Sequence, residues 1–168
     1  MNPYTLWLAP PKDIADKYQH IIDTYCKQFN IHTFLPHITL VGGIDKNEDE
    51  IASILNSILA KPKPIDITIS EVSISTTYFQ CVFGRVEPSP ALLDLHLNLK
   101  EVLNMNDEKI FMPHMSLVYA DIDSNEKQKI AQEITLPPAQ FICDTIYLME
   151  SMNKDTSTWR KIKEFTLT

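Results

Sequence analysis

The chain of 168 residues is short of glycine, arginine and long apolar runs, and each shortage excludes a class of function. With three glycines, it has no Gly-rich loop of the kind that cradles nucleotide phosphates. Arg85 and Arg160 are its two arginines, and the formal net charge is −7, so we expect no surface for long nucleic acids. No apolar run approaches the roughly 18 residues of a membrane span. Small anionic ligands remain as candidates.

Cysteine is also scarce. Cys26, Cys81 and Cys143 lie far apart and show no CxxC spacing. Such an odd, sparse set fits a reducing compartment better than a disulfide framework. The first residues lack the basic start and long apolar run of a signal peptide. We therefore expect a cytoplasmic protein with no membrane partner, and we expect it to be a monomer.

Hydrophobic periodicity predicts a mixed chain with similar elements in each half. We expect strands at residues 4–9, 35–41, 65–75, 78–86, 112–119, 141–150 and 159–167. We expect helices at residues 13–29, 88–103 and 125–134. We also expect a helix before the KPKP segment at 61–64, which ends it, with an apolar face formed by Ile51, Ile54, Leu55, Ile58 and Leu59. The prediction is an α+β fold in which residues 1–168 form one domain of two related, intertwined lobes.

Two stretches of sequence echo each other: FLPHITLV at residues 34–41 and FMPHMSLV at residues 111–118. Side chains alternate along a strand, so His37 and Thr39 share one face, as do His114 and Ser116. The intervening Ile38, Leu40, Met115 and Leu117 are then predicted to face the core. If the halves are related by a pseudo-twofold axis, the two His–hydroxyl dyads meet across a cleft.

Such a pair of dyads is suited to displacement at phosphorus. One group must take a proton from the nucleophile and another must give a proton to the leaving oxygen, and histidine serves either role near neutral pH. The two hydroxyls can donate hydrogen bonds to the phosphate oxygens. A cyclic phosphate suits this apparatus because its ring holds the leaving group in place, so we expect no metal and no cofactor.

Other interpretations compete for several of these residues. An arbitrary strand histidine is usually structural, and we leave His20, His32 and His96 in that class, with His96 on the apolar face of its helix. A metal site is the alternative for paired histidines, but no carboxylate or cysteine lies at ligand spacing near both. Cys81 is predicted to be a small core residue. The DKNEDE run at residues 45–50 is predicted to be a solvated helix start, since its register does not fit a calcium loop.

PHITL and PHMSL resemble the paired HxT/HxS signatures of the two-histidine (2H) phosphoesterase superfamily, separated here by 77 residues (114 − 37). Within it, the sequence is similar to plant and yeast cyclic phosphodiesterases in four blocks. These are LWLAPP at residues 6–11, FLPHITL, STTYFQCVF at residues 75–83 and FMPHMSLVYAD at residues 111–121. The resemblance implies a bilobal fold whose antiparallel sheets line a central cleft.

The resemblance also implies a reaction and a set of site residues. It implies hydrolysis of ADP-ribose 1″,2″-cyclic phosphate, a by-product of tRNA splicing, and of nucleoside 2′,3′-cyclic phosphates to 2′-phosphates. His37, Thr39, His114 and Ser116 match the catalytic positions. Tyr119 matches a ligand-contacting tyrosine. Strand alternation from His114 places it on the opposite face, so we expect the strand to end or bulge near Val118. Trp7 and Phe79 match aromatic positions near the base or ribose, with ordinary core packing as the alternative.

Three interpretations are left open. The first is hydrolysis of small cyclic phosphates, with His114 activating water and His37 protonating the leaving oxygen, although the motif's symmetry permits the reverse. The second is an enzyme of RNA ends or 2′,5′-linked nucleotides, as in the bacterial RNA-ligase-like branch, which the acidic charge disfavours. The third is a non-catalytic nucleotide-binding module, which the intact dyads disfavour.

Overall fold

The computed structural model describes residues 3–59, 63–151 and 153–168, so residues 61 and 62 of the predicted KPKP helix end lie outside the described residues. In the described part of the chain, strands and helices alternate as the periodicity predicts. They are β1 (Tyr4–Ala9), α1 (Lys12–Phe29), β2 (Ile38–Ile44), α2 (Glu48–Ile58), β3 (Ile65–Ile74), β4 (Val82–Val86), α3 (Pro90–Val102), β5 (His114–Val118), α4 (Ser124–Glu133), β6 (Gln140–Cys143), β7 (Thr145–Glu150) and β8 (Arg160–Thr166), with a 3-10 helix at Thr156–Thr158. The predicted α+β class is confirmed.

The strands form a sheet in the order β6-β3-β4-β5-β2-β1-β7-β8, and all neighbours run antiparallel. β2 and β5, which carry the two motifs, are adjacent at the centre. One described residue pair, Ile38 with Met115, joins them. The sheet is thus composed of two four-stranded halves, β2-β1-β7-β8 and β5-β4-β3-β6, as the two-lobe prediction requires.

The two halves have the same register around the motifs. Trp7 of β1 lies opposite Thr39, and Phe83 of β4 lies opposite Ser116. Each motif strand then has a β-bulge at the next residue, since the pairing passes from Thr39 to Val41 and from Ser116 to Val118. A bulge leaves one residue unpaired and turns the strand. The two motifs are therefore similar in backbone structure as well as in sequence.

The helices pack on the core face of this sheet. Ile14, Tyr18 and Ile22 of α1 are buried at the predicted helical spacing. α1 contacts β5 and α3 contacts β2, so each helix covers the motif strand of the other half. This crossing holds the two halves together where the sheet itself has little pairing.

Local predictions about the core and a helix start are also confirmed. The four motif residues expected to face the core are at most 1% exposed: Ile38, Leu40, Met115 and Leu117. α2 begins in the 45–50 run with a capping box, in which the Asn47 side chain accepts from the Glu50 N–H and the Glu50 carboxylate accepts from the Asn47 N–H. The run is a solvated helix start.

Three strand predictions were wrong in their bounds. The predicted 35–41 strand begins at Ile38, because Pro36 has no N–H to donate to a neighbouring strand. The predicted 78–86 strand begins at Val82, since residues 75–81 form a turn in which Thr77 Oγ1 accepts from the Gln80 N–H at 3.2 Å. The predicted 141–150 strand is two strands, β6 and β7, which pair at opposite ends of the sheet.

Candidate active site

A cleft of about 530 Å³ opens beside the central strands. Every site residue predicted from the sequence lines it: Trp7, His37, Thr39, Phe79, His114, Ser116 and Tyr119. Thr39 lies in β2, His37 immediately precedes that strand, and His114 and Ser116 lie in the adjacent β5. The three aromatic residues come from β1, from the turn before β4 and from the residue after β5. The structure therefore brings together side chains up to 112 positions apart (119 − 7).

The two histidines are held by the same kind of hydrogen bond to the backbone. His37 Nδ1 donates to the carbonyl of Leu35 at 2.6 Å, and His114 Nδ1 donates to the carbonyl of Met112 at 2.9 Å. A carbonyl can only accept, so the proton lies on Nδ1 in both rings. Nε2 is then the nitrogen left for chemistry on each side of the cleft.

The surroundings of the two imidazoles differ. His37 is buried and stacks face to face on Trp7, with ring centroids 3.5 Å apart and an interplanar angle of 9°. His114 is partly buried and meets the edge of Phe83, with centroids 5.2 Å apart and an angle of 64°. Burial lowers the pKa of His37 to about 3 and also lowers the pKa of His114. Both imidazoles are therefore neutral at pH 7 in the protein alone.

The two hydroxyls also differ. Ser116 is buried, and its Oγ donates to the carbonyl of Phe79 at 2.8 Å. This bond ties the 75–81 turn to the motif strand and fixes Phe79 at the rim of the cleft. Thr39 is partly exposed on the other side. Ser116 thus anchors a wall of the site, whereas Thr39 faces the cleft.

Tyr119 lies on the cleft side, so simple alternation from His114 predicts the wrong face. β5 ends at Val118, and the bulge at Leu117 shifts the following residues by one position. The Tyr119 ring stacks on Phe34 with centroids 4.0 Å apart. Burial raises the pKa of its phenol, while a hydrogen bond with Ser116 acts in the opposite direction. The phenol is therefore a neutral group that can donate.

The aromatic residues of the cleft fall into two groups. Trp7 is 2% exposed and its face is against His37, so it supports the histidine. Phe79 is 37% exposed, and Trp159 lies near it with centroids 6.2 Å apart. Phe79 and Trp159 form the accessible aromatic surface of the cleft.

Sequence reasoning missed several residues of this lining. They are Thr5, Gly42, Thr77, Gln80, Lys109, Ser151 and Trp159. The periodicity placed Trp159 at the start of a strand. Its position depends on the chain between β7 and β8, since its indole N–H donates to the Asn153 carbonyl at 2.9 Å. Thr5 and Ser151 were found only through the pairing of β1 with β7, which brings their hydroxyls to 2.6 Å.

Residues given structural roles lie outside this cleft lining. Cys81 is fully buried, as predicted, and burial raises the pKa of its thiol. His20 and His32 are exposed. Arg85 lies 3.5 Å from Glu71, and Arg160 lies 2.7 Å from Glu150, so both arginines have carboxylate partners.

Within residues 3–59, 63–151 and 153–168, no three His, Cys, Asp or Glu side chains lie together so that they could hold a metal ion. Within the same ranges, no helix combines the length and apolarity needed to cross a membrane.

Comparison with known proteins agrees with the geometry. Residues 1–167 match the family described as cyclic phosphodiesterase-like protein. The cyclic phosphodiesterase of Arabidopsis thaliana is 28% identical over 130 residues, which cover 77% of this chain and 71% of that protein. The 2′,3′-cyclic-nucleotide 3′-phosphodiesterase of Yarrowia lipolytica is 28% identical over 144 residues, covering 77% of this chain and 62% of that protein. The crystal structure of E. coli LigT complexed with 3′-AMP has a TM-score of 0.67 at 16% identity, with 99% of this chain and 98% of that chain covered.

Proposed function

The chain belongs to the family of cyclic phosphodiesterase-like proteins, and we propose that it hydrolyses small cyclic phosphates with His37 and His114 as one acid–base pair. The observation that carries this proposal is the matched geometry of the two dyads. Both histidines are fixed through Nδ1 by the carbonyl two residues earlier, and both line one cleft with a hydroxyl beside each. The resemblance to two-histidine phosphoesterases inferred from the motifs agrees with this family match.

The reaction requires two proton transfers around one phosphorus. Water attacks phosphorus as His114 Nε2 takes its proton, and the P–O3′ bond of a nucleoside 2′,3′-cyclic phosphate breaks as His37 Nε2 gives a proton to O3′. The product is the nucleoside 2′-phosphate. Thr39 and Tyr119 donate hydrogen bonds to the non-bridging oxygens, where the transition state concentrates charge, while Ser116 holds the Phe79 turn in place.

His37 is assigned the acid role although its pKa is low in the protein alone. The burial that lowers this pKa also removes screening, so the anionic phosphate of a bound substrate stabilises the imidazolium strongly. The face of Trp7 adds a favourable contact for a cationic ring. His114 is less buried and keeps access to water, which suits the group that activates it.

The accessible aromatic surface suits a nucleoside or ribose next to the phosphate. Phe79 and Trp159 can stack on any base, since stacking does not read the base edge. Nucleoside 2′,3′-cyclic phosphates and ADP-ribose 1″,2″-cyclic phosphate are the substrates proposed. The net charge of −7 and the paired arginines argue for such small molecules in preference to oligonucleotides. We further propose a cytoplasmic monomer without membrane or nucleic-acid partners, in which residues 1–168 act as one domain.

The mechanism requires no metal, since the ring holds its leaving group and the two histidines supply both proton transfers. The test is hydrolysis of adenosine 2′,3′-cyclic phosphate by the purified protein in excess EDTA, followed by chromatography. Adenosine 2′-phosphate should form at an undiminished rate. Loss of activity that a divalent ion restores would contradict this mechanism, and a 3′-phosphate product would contradict the choice of leaving oxygen.

A further inference from the structure

The turn at residues 75–81, which joins β3 to β4, forms one wall of the cleft. Thr77, Phe79 and Gln80 of this turn line the cleft, and Phe79 is 37% exposed there. A side chain on a turn binds a ligand well only if the turn is already held in the binding conformation, because ordering it on binding costs free energy. The contacts that hold this turn therefore bear on substrate binding.

The bonds within the turn itself are long. The Ser75 N–H donates to the Cys81 carbonyl at 3.4 Å, and the Gln80 N–H donates to Thr77 Oγ1 at 3.2 Å. The usual distance for such bonds is about 2.9–3.0 Å. Ser116 holds the middle of the turn through the Phe79 carbonyl at 2.8 Å. The start of the turn needs a further support.

Lys127 of α4 supplies that support. Its Nζ donates to the Ser75 carbonyl at 2.8 Å, across 52 positions of sequence. A hydrogen bond with a charged donor is stronger than one between neutral groups. α4 packs on β3 and β4, the two strands that the turn joins. Lys127 therefore fixes the first residue of the turn to the helix that covers both strands.

The position of Lys127 is otherwise unfavourable for a cation. The residue is 8% exposed, and burial of an ammonium costs free energy that its contacts must offset. It lies three residues after Ser124, the first residue of α4, where the helix dipole favours anions. No carboxylate forms an ion pair with it in the part of the chain that the structure describes. The bond to Ser75 is thus the contact that distinguishes a lysine here from an apolar side chain of similar length.

We propose that Lys127 is a positioning residue, which holds the 75–81 turn so that Phe79 is placed to stack on the base of a nucleoside cyclic phosphate. Lys127 is not part of the cleft lining, so it acts through Phe79 and does not contact the substrate. The proposal deepens the proposed function and rests on it, because the base must lie against Phe79. It adds that recognition of the base, and not of the cyclic phosphate, depends on Lys127.

The test compares two substrates that differ in the base. Adenosine 2′,3′-cyclic phosphate carries a base, whereas glycerol 1,2-cyclic phosphate has the same five-membered phosphate ring and no base. In Lys127→Met, the ratio of their kcat/KM values should fall about tenfold, through a higher KM for the adenosine compound, as expected for loss of one charge-assisted bond. Lys127→Arg keeps a charged donor and should restore most of the ratio. Lys129→Met, at an exposed position on the same helix, is the control and should leave the ratio unchanged.

A second background separates positioning of Phe79 from general support of the fold. In Phe79→Ala, the side chain that Lys127 positions is absent, so adding Lys127→Met should lower the ratio no further. An unchanged ratio in Lys127→Met, or a further tenfold fall in the Phe79→Ala background, would overturn the proposal. Thermal unfolding is recorded for each variant. If Lys127→Met does not fold, Lys127→Gln takes its place, with a smaller fall of the ratio expected.

Binding calorimetry decides the role of Lys127 without turnover. Lys127→Met should raise the Kd of adenosine 2′-phosphate about tenfold in the unaltered background and leave it unchanged in Phe79→Ala. An equal Kd in Lys127→Met and the unaltered protein would contradict the positioning role. If the unaltered protein hydrolyses neither cyclic phosphate, the proposed function fails, while the Kd values still decide whether Lys127 acts through Phe79.

Discussion

The two dyads occupy equivalent places in the two half-sheets, yet their side chains differ in how deeply they are buried. His37 is sealed under Trp7, whereas His114 touches Phe83 only by its edge and keeps some exposure. The Ser116 hydroxyl donates to the Phe79 carbonyl, whereas Thr39 faces the cleft. The backbone around both is the same, down to the bulge one residue later.

This contrast teaches that duplicated backbone does not impose duplicated chemistry. The shared features place Nε2 of each ring at the cleft, which any acid–base pair requires. The differences in burial separate the two roles, since the more enclosed ring responds more strongly to a bound anion. Gly42 and Tyr119, which follow the shared valines of the two motifs, extend the asymmetry to the lining of the cleft.

The largest expected effect comes from removing either imidazole. His37→Asn and His114→Asn should each lower kcat about 10²- to 10⁴-fold with a smaller change in KM, because each removes one proton transfer. The double variant should lose much less than the product of the two single losses. Steady-state kinetics on adenosine 2′,3′-cyclic phosphate check this, with His20→Asn on the exposed side of α1 as the control. Near-unaltered turnover in either single variant would contradict the paired mechanism.

Removal of the hydroxyls should have a smaller effect that differs between the halves. Thr39→Val should lower kcat by about 10²-fold or less, because it removes one donor to the phosphate oxygens. Ser116→Ala should instead raise KM, since it frees the Phe79 turn. The comparison of KM between the variants is the measurement, and equal KM values would contradict the anchoring role of Ser116.

Much of this arrangement could be predicted from the sequence. The motif echo located both dyads, and periodicity located the helices and the core residues Ile38 and Met115. The bulge at Leu40 could not be predicted, because a bulge depends on the partner strand's register. Alternation alone places Tyr119 on the far side of the sheet, and an end or bulge of the strand near Val118 was predicted only because the family resemblance places Tyr119 in the cleft.

Contacts between segments far apart in the chain could not be predicted from the sequence either. Trp159 reaches the cleft only because the chain between β7 and β8 positions it, and each motif strand is covered by a helix from the other half. Local sequence carries no signal of either contact.

Substitutions of the aromatic residues should affect either KM or kcat, depending on whether the side chain contacts the ligand or supports His37. Phe79→Ala and Trp159→Leu should each raise KM about tenfold, because stacking on a base is worth roughly 1–3 kcal/mol. Trp7→Leu should act mainly on kcat, since Trp7 supports His37. A KM effect alone in Trp7→Leu would show that this side chain contacts the ligand instead.

The smallest expected effect is on stability in acid. The pKa of His37 falls from 6.5 unfolded to about 3 folded, so the unfolded state binds more protons between these values. Stability from this group is complete above about pH 6.5 and is lost as the pH falls toward 3, by at most about 1.4 kcal/mol per pH unit. Urea unfolding across this range should show a shallower loss in His37→Gln than in the unaltered protein. An equal slope would contradict the buried neutral state.

The assignment of His37 as the acid and His114 as the base is tested most directly with a sulfur leaving group. In a nucleoside 2′,3′-cyclic phosphate whose 3′ oxygen is replaced by sulfur, the departing thiolate needs no acid, and thiol release follows the reaction. The account predicts that this substrate restores most of the activity lost in His37→Asn and little of that lost in His114→Asn. Rescue of His114→Asn in place of His37→Asn, or of neither, would contradict the assignment of His37 as the proton donor.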